Sequence, residues 1–211
     1  MGNKVGRPSK KSVGMAAVDA KQQIIDAAVM LIKKDGADQL TVRKVVEASG
    51  LSIGTFYHHF QNKDDLMMYF IREESFDTFS LQTPLSMYPD RIFELYMYLL
   101  HRYMELGKDF MKSFYTTGNQ ALSAYMGVAD GRFADGTVMA RCETETIQAI
   151  EQGILRPDAD AHQISADICT IVKGTVFEWC LEDGNMDLEG TLLRILQSYC
   201  TPYCKRETTV F

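Results

Sequence analysis

Apolar residues recur every three or four positions along most of this 211-residue chain, the spacing of helices that each bury one face. Asp19 and Gln22 suit a capping box, after which Ile24, Ile25, Ala28, Leu31 and Ile32 step along one face until Asp35-Gly36 stops the run. Val42, Val45 and Val46 share the face of a short helix, Gly50 supplies a sharp break, and Ser52 is placed to cap a second short helix that carries Phe56 and Phe60 inward. Asn62, with Asp65 three positions on, caps a fourth helix bearing Leu66, Met67, Phe70 and Ile71. A broken stretch from Gln82 to Pro89, containing Pro84, precedes helical spacing at Ile92, Phe93, Tyr96, Leu99, Leu100 and Tyr103, and again at Phe110, Phe114 and Tyr115 beyond Gly107. Gly127 to Gly136 reads as a loop, and Thr137 to Gln152 as a helix ended by Gly153. Two last stripes close the chain: Ile164, Ile168, Ile171, Val172, Thr175 and Trp179, then Leu188, Leu192, Ile195, Leu196 and Tyr199, joined by a turn at Gly184-Asn185. No strand-length alternation and no internal repeat interrupts the series, so the expected fold class is all-α.

The two short helices around Gly50 describe a helix-turn-helix, whose second member lies in the major groove of DNA. Its outward face presents Ser52, Ile53, Gly54, Thr55, Tyr57, His58 and His59. The stretch TVRKVVEASGLSIGTFYHHFQNK, Thr41 to Lys63, closely resembles the DNA-binding domain of the TetR family of bacterial transcriptional regulators. The family pattern falls on Ile24, Ala27, Ala28, Gly36, Thr41, Ala48, Gly50, Leu51, Ser52, Gly54, Thr55, Phe56, Tyr57, His59, Phe60, Lys63 and Leu66. It spans roughly residues 20 to 70. Val45-Val46 stand where the family usually has Ile-Ala, a change of packing, and Ile53 stands where relatives often carry a polar residue that faces DNA.

The resemblance implies an N-terminal three-helix DNA-binding domain followed by a larger helical domain for effector binding and dimerisation. The expected divisions are a flexible basic arm at 1–17, the helix-turn-helix domain at 18–66, and the effector and dimer domain at 67–211. Thr41, Arg43, Ser52, Gly54, Thr55, Tyr57, His58, His59 and Lys63 match positions that commonly contact DNA in relatives. Thr41 and Lys63 stand at helix starts, where a hydroxyl, a backbone N–H and an ammonium meet phosphate, and Tyr57 adds a phenolic contact. Arg43, Gly54, Thr55, His58 and His59 are the candidates for base edges, since Arg grips guanine bidentately, Thr touches the thymine methyl and Gly lets backbone approach. Arg7, between Gly6 and Pro8 with Lys10-Lys11 after it, resembles arms that lay an arginine in the minor groove, although the same composition serves as a solubilising tail.

In the family the last two helices meet their copies in a four-helix interface, which makes Ile164, Ile168, Ile171, Val172, Thr175, Trp179, Leu188, Leu192, Ile195, Leu196 and Tyr199 the expected homodimer contacts. An apolar stripe also serves a monomer core. Relatives hold a small-molecule effector among the body helices, and Tyr96, His101, Phe114, Asn119, Tyr125, Cys142, Glu145 and Phe177 are the candidates to line that site. The implied partners are an operator in double-stranded DNA, a second copy of the chain and an unidentified effector. The implied function is a regulator, in most relatives a repressor, released from a near-palindrome when the effector binds.

Composition sharpens this picture in three places. The net charge of −6 divides unevenly, with 11 Lys and Arg against 7 Asp and Glu through Arg72, and 11 against 21 beyond it. A basic head on an acidic body suits contact with polyanionic DNA at one end only. The 5 cysteines, Cys142, Cys169, Cys180, Cys200 and Cys204, lack the paired spacing of a zinc site and read as small core residues of a reducing compartment. Cys200 and Cys204 stand one helical turn apart, a spacing open to a thiol sensor, but Pro202 argues against a regular helix there. No run of eighteen apolar residues and no apolar block after the basic N-terminus occurs, so neither a membrane span nor a secretory signal is expected and the location is cytoplasmic.

No metal or cofactor is expected: adjacent helical residues such as His58 and His59 point about 100° apart and do not readily grip one ion. Two other classes compete with the regulator. An enzyme would use His101, Glu105, Glu143 and Glu145, which no recognised catalytic spacing gathers, and no enzyme is expected. An architectural DNA-binding protein would use the same head without an effector.

Overall fold

A computed structural model of the chain describes residues 10–36, 39–72, 76–105, 107–115, 122, 125–127 and 130–205, the side chains of 10–19, 70–72, 105, 109 and 113 excepted. Arg7 and Asn119 lie outside the described residues. The helices are α1 (Lys10–Asp35), α2 (Val42–Ser49), α3 (Ile53–His59), α4 (Lys63–Arg72), α5 (Tyr88–Glu105), α6 (Lys108–Phe114), α7 (Val138–Glu151), α8 (Ala161–Leu181) and α9 (Leu188–Cys200). Leu155 and Cys204 form an isolated antiparallel bridge, and the described residues contain no strand. The fold is all-α. The chain divides into two compact units, 1–67 and 68–211.

In the first unit α1 packs on both α2 and α3. Its apolar face buries Ile24, Ile25, Ala27, Ala28 and Ile32 with Leu40, Val45, Phe56 and Phe60. Gly36 ends α1 at φ 87°, its N–H donating to the Ile32 carbonyl at 3.0 Å, a left-handed stop that glycine adopts without a Cβ penalty. The start of α1 differs from expectation. Residues 10–17, assigned by composition to a flexible arm, are helical, and Asp19 lies within the helix instead of at its start. The reason is local: Lys, Met and Ala are good helix formers, one Gly costs only about 1 kcal/mol relative to Ala, and no proline falls between Lys10 and Asp19.

In the second unit α8 packs against α6, α7 and α9, and α5 against α6, α7 and α9. Helix α5 begins at Tyr88, so Pro89 belongs to its first turn instead of the preceding break. There the missing N–H has no helical partner to lose. The two C-terminal stripes require a larger correction. Ile164, Ile168, Val172, Thr175, Trp179, Leu188, Leu192 and Leu196 are buried within the single chain, and Ile171, Ile195 and Tyr199 are half-buried. The buried residues of this set, expected as dimer contacts, face the body core, because α8 and α9 turn their apolar sides toward each other and toward α5, α6 and α7. What α8 leaves outside is a different line, Thr170, Gly174, Phe177 and Leu181, with Phe177 50% and Leu181 65% exposed.

A buried ionic cluster ties the chain between α4 and α5 to the body. Glu145 on α7, 1% exposed, accepts from Arg91 of α5 at 2.7 Å and from Arg141 at 2.8 Å. Arg91 also donates to the Thr83 carbonyl, and Arg141 to the Asp77 carbonyl at 2.7 Å. Glu94 accepts the N–H groups of Gln82 and Thr83, each at 2.7 Å. Burial pushes the Glu94 carboxyl up, but these backbone donors outweigh it and hold the group below its usual value. Glu145→Ala strands two largely buried guanidinium groups, and the expected loss is about 3–5 kcal/mol in chemical denaturation. A loss below about 1 kcal/mol would mean that the arginines find other partners.

Candidate nucleic-acid interface

The α2–α3 pair is built by capping at both starts. Thr41 Oγ1 accepts the Lys44 N–H at 3.2 Å and Ser52 Oγ accepts that of Thr55 at 3.1 Å, each from extended backbone. Between them Gly50, at φ 69°, makes the left-handed corner. Such caps are each worth about 1 kcal/mol, a large share for helices of 8 and 7 residues. Phe56 is fully buried and Phe60 is 3% exposed, their rings 5.8 Å apart. With those two side chains inward, the 3.6-residue period puts Ile53, Gly54, Tyr57 and His58 outward, and all four are exposed.

The candidate contacts are not equivalent in this geometry. Ile53 is 56% and Tyr57 55% exposed, and the Tyr57 ring meets Phe56 edge-on at 5.5 Å. Nothing but Ser52 Oγ, at 3.7 Å, lies near the Cβ position of Gly54, so backbone can approach a base or phosphate there. Ser52 and Thr55 hydroxyls bond each other at 2.8 Å, which commits them to the cap. His59 is half-buried. Its pKa is lowered by burial and then by the charges of His58 and Lys21, so it stays neutral at neutral pH and offers a hydrogen bond in place of a cation. Arg43 is extended and 87% exposed, held by Glu47 one turn along α2 at 2.9 Å.

Two helix starts were expected to hold phosphate, and they differ. The first turn of α2 carries no acid, so its free N–H groups and positive dipole end face an anion unopposed. The first turn of α4 carries Asp64 and Asp65. Asp65 completes a reciprocal cap, accepting the Gln61 N–H at 3.0 Å while its own N–H donates to Asn62 at 2.8 Å. The helix end beside Lys63 is therefore already satisfied, which leaves its ammonium group as the group it could offer an anion. The partner missed in the sequence is Glu47, whose position four residues after Arg43 was the available signal.

The body candidates divide as well. Tyr96, Phe114, Tyr125, Cys142 and Glu145 are interior. His101, whose side chain is 56% exposed, pairs with Glu189 at 2.9 Å, and Phe177 is half exposed, so neither lines an interior site. The residues offered for acid–base work engage separate partners: His101 with Glu189, Glu143 with His162 at 3.0 Å, Glu145 with two arginines. The cysteines are unpaired thiols, and burial pushes Cys142 and Cys200 up to about 12, far from the thiolate character a reactive sensor needs. Among the described residues no helix is long and apolar enough to cross a membrane.

Residues 24–69 match the family model for bacterial regulatory proteins of the tetR family. A fatty acid metabolism regulator protein of Bacillus subtilis is 40% identical over 52 residues, 25% of this chain and 27% of that protein. The nicotine-responsive transcriptional repressor HdnoR of Paenarthrobacter nicotinovorans is 36% identical over 53 residues, 25% of this chain and 27% of its own. The chain thus spans little more than a quarter of the length of these curated relatives. The likeness of the whole fold extends further: the crystal structure of Thermus thermophilus FadR, a TetR-family transcriptional repressor in complex with lauroyl-CoA, superposes with a TM-score of 0.59 at 18% identity, covering 90% of this chain and 98% of that one.

The Arg43–Glu47 pair generates a test on double-stranded DNA. An exposed i,i+4 pair is worth only about 0.3–0.5 kcal/mol, so a competing anion or acceptor would displace Glu47 at little cost. Glu47→Ala is expected to tighten DNA binding a few-fold at low salt. Arg43→Ala should weaken it by about 1–3 kcal/mol and relax preference at one base, and Tyr57→Ala should weaken it alike on every sequence. Fluorescence anisotropy on matched specific and random duplexes measures all three. Equal losses on both duplexes for Arg43→Ala would remove that residue from base reading.

Proposed function

We infer, for a chain whose residues 24–69 match the family model for tetR-family bacterial regulatory proteins, that it is a DNA-binding transcriptional repressor acting as a homodimer and released by a small-molecule effector. The observation that carries this reading is the capped, buried-in α2–α3 pair with its exposed face of Ile53, Gly54, Tyr57 and His58. A seven-residue helix that anchors only Phe56 and leaves a tyrosine and an isoleucine in water serves no packing purpose on that side. The DNA-binding set is Thr41, Arg43, Ser52, Gly54, Thr55, Tyr57, His58, His59 and Lys63, with Arg7 of the N-terminal arm entering the minor groove.

Two copies related by a two-fold axis set their α3 helices about one turn of DNA apart, roughly 34 to 36 Å, and read a near-palindrome. The exposed line Thr170, Gly174, Phe177 and Leu181 of α8 supports the pairing. Its spacing keeps the four on one helix face, Gly174 has open space at its Cβ, and two large apolar side chains stand in water. The acidic balance beyond Arg72 discourages DNA from the body. An effector bound in the body favours a state whose reading helices no longer match successive grooves, and a coupling of about 1–3 kcal/mol changes operator affinity roughly 5- to 150-fold. The protein works in the cytoplasm, and its function requires no catalysis.

Selection of random genomic fragments by the purified protein, followed by sequencing, should return an inverted repeat with half-sites one helical turn apart. Many dispersed sites without symmetry would instead indicate an architectural protein. The double variant Phe177→Asp, Leu181→Asp should sediment as a monomer with unchanged helical circular dichroism. It should lose at least about tenfold in operator affinity, since each head then binds alone. A persisting dimer would place the interface on another face.

A further inference from the structure

Among the described residues of the first unit, three large apolar side chains stand more than half exposed, Met30, Ile53 and Tyr57, and the last two fall one turn apart on α3. Single apolar residues in water are ordinary on a protein surface. A pair on the outer side of a seven-residue helix, whose inner side Phe56 fills, has no packing role there. Ile53 is also held in place. It directly follows Ser52, whose extended backbone is fixed by the hydroxyl accepting the Thr55 N–H at 3.1 Å. Branching at Cβ leaves isoleucine essentially one χ1 rotamer in a helix, so little freedom is lost when it meets a surface. Beside it, Gly54 has only Ser52 Oγ, at 3.7 Å, near its Cβ position, so no bulk screens the flank of Ile53.

Thr55, the residue that chemical type alone assigns to a thymine methyl, is half-buried, and its hydroxyl bonds that of Ser52 at 2.8 Å. The Ile53 side chain has neither donor nor acceptor, so it has no means of reading the hydrogen-bonding edge of a base. In the major groove the apolar mark that distinguishes a base is the C5-methyl group of thymine. The N-terminal part of the chain, with 11 Lys and Arg against 7 Asp and Glu through Arg72, complements a phosphate backbone. Two side chains make too small a surface for a protein partner, since stable interfaces cover about 800 Å² on each side. Resting on the reading of α3 as the helix that enters DNA, we propose that Ile53 is a specificity-determining residue whose side chain packs on the C5-methyl group of one thymine in each half-site.

The test uses the full chain, its Ile53→Ser and Thr55→Ser variants, and two pools of random duplexes long enough for two half-sites. One pool contains thymine and the other deoxyuridine in its place, a change that removes the methyl group and keeps the base-pairing edge. Bound duplexes are sequenced, and selected ones are measured by fluorescence anisotropy. From the thymine pool, wild type should return an inverted repeat with thymine fixed at one position of each half-site. Deoxyuridine at that position should weaken binding about fourfold for each methyl removed. Ile53→Ser should bind the two forms alike, whereas Thr55→Ser should keep the wild-type difference. Ile53→Ser should melt within about 2 °C of wild type, as befits an exposed side chain. A much lower melting temperature, an inverted repeat without a fixed thymine, equal binding of both forms by wild type, a difference that persists in Ile53→Ser, or one lost in Thr55→Ser would each overturn the proposal and leave DNA binding intact. Enrichment from neither pool would overturn the DNA-binding reading together with it.

Discussion

The burial of Phe56 is the constraint on which the head depends. A helix of seven residues is far too short to persist alone in water. Phe56 at 0% and Phe60 at 3% exposure lock it against the Ile24, Ala28 and Val45 surface, contributing about 1.5–3 kcal/mol each. Once that face is fixed, helical geometry leaves no freedom over which residues point away. The exposure of Ile53 and Tyr57 follows from the burial of Phe56, and the left-handed corner at Gly50 sets the angle at which α3 leaves α2. The exposed residues therefore sit on an element whose stability comes from the opposite side, which allows them to vary without loss of fold.

The body treats its polar groups in two contrasting ways. Around Glu145 the polar groups are joined: one carboxylate takes two guanidinium groups, and these also hold three backbone carbonyls. Elsewhere in the body the Tyr115 hydroxyl is sealed in without a partner. Each such hydroxyl costs about 1–3 kcal/mol, a substantial fraction of the 5–15 kcal/mol by which proteins are stable. The first pattern fixes a structure in place. The second leaves an interior whose energy falls when a suitable acceptor arrives.

The head was legible because its signals are local. Caps at Thr41, Ser52 and Asn62, the corner at Gly50 and the inward pair Phe56 and Phe60 all act within four residues of chain, and each stands as expected. The start of α1 was not, since a capping pattern at Asp19 marks a helix start only if the preceding chain is non-helical, and Lys10–Val18 is helical. The C-terminal stripes were misassigned for a different reason. Periodicity reports that Ile168 and Leu192 are buried, not what buries them, and only the packing of α7, α8 and α9 reveals that the monomer uses those faces itself. Phe177 and Leu181 were hidden by the strength of the neighbouring stripe. His101 and Phe177 were drawn to the effector site by chemical type alone, which carries no information on direction. The unpartnered state of the Tyr115 hydroxyl depends on every neighbour in three dimensions and leaves no trace in spacing.

A signal from body to head has to act through something with two distinct arrangements, since a ligand shifts an equilibrium only by its differential affinity for the two states. The Glu145 carboxylate is shared between an arginine of α5 and one of α7, and those same arginines hold the carbonyls of Phe76, Asp77 and Thr83 in the chain that follows α4. Tyr96 lies on α5 five residues beyond Arg91, and Cys142, beside the Tyr96 hydroxyl, directly follows Arg141 on α7. A ligand that drew α5 and α7 apart or together would therefore act on both the tyrosine and the shared carboxylate. A bidentate ionic contact does not stretch gradually: one arginine keeps the carboxylate and the other loses it, with a cost of several kcal/mol for the one left buried. That discreteness, placed on the segment leading back to α4, is the property a coupling of about 1–3 kcal/mol requires, and a core of apolar contacts alone does not supply it.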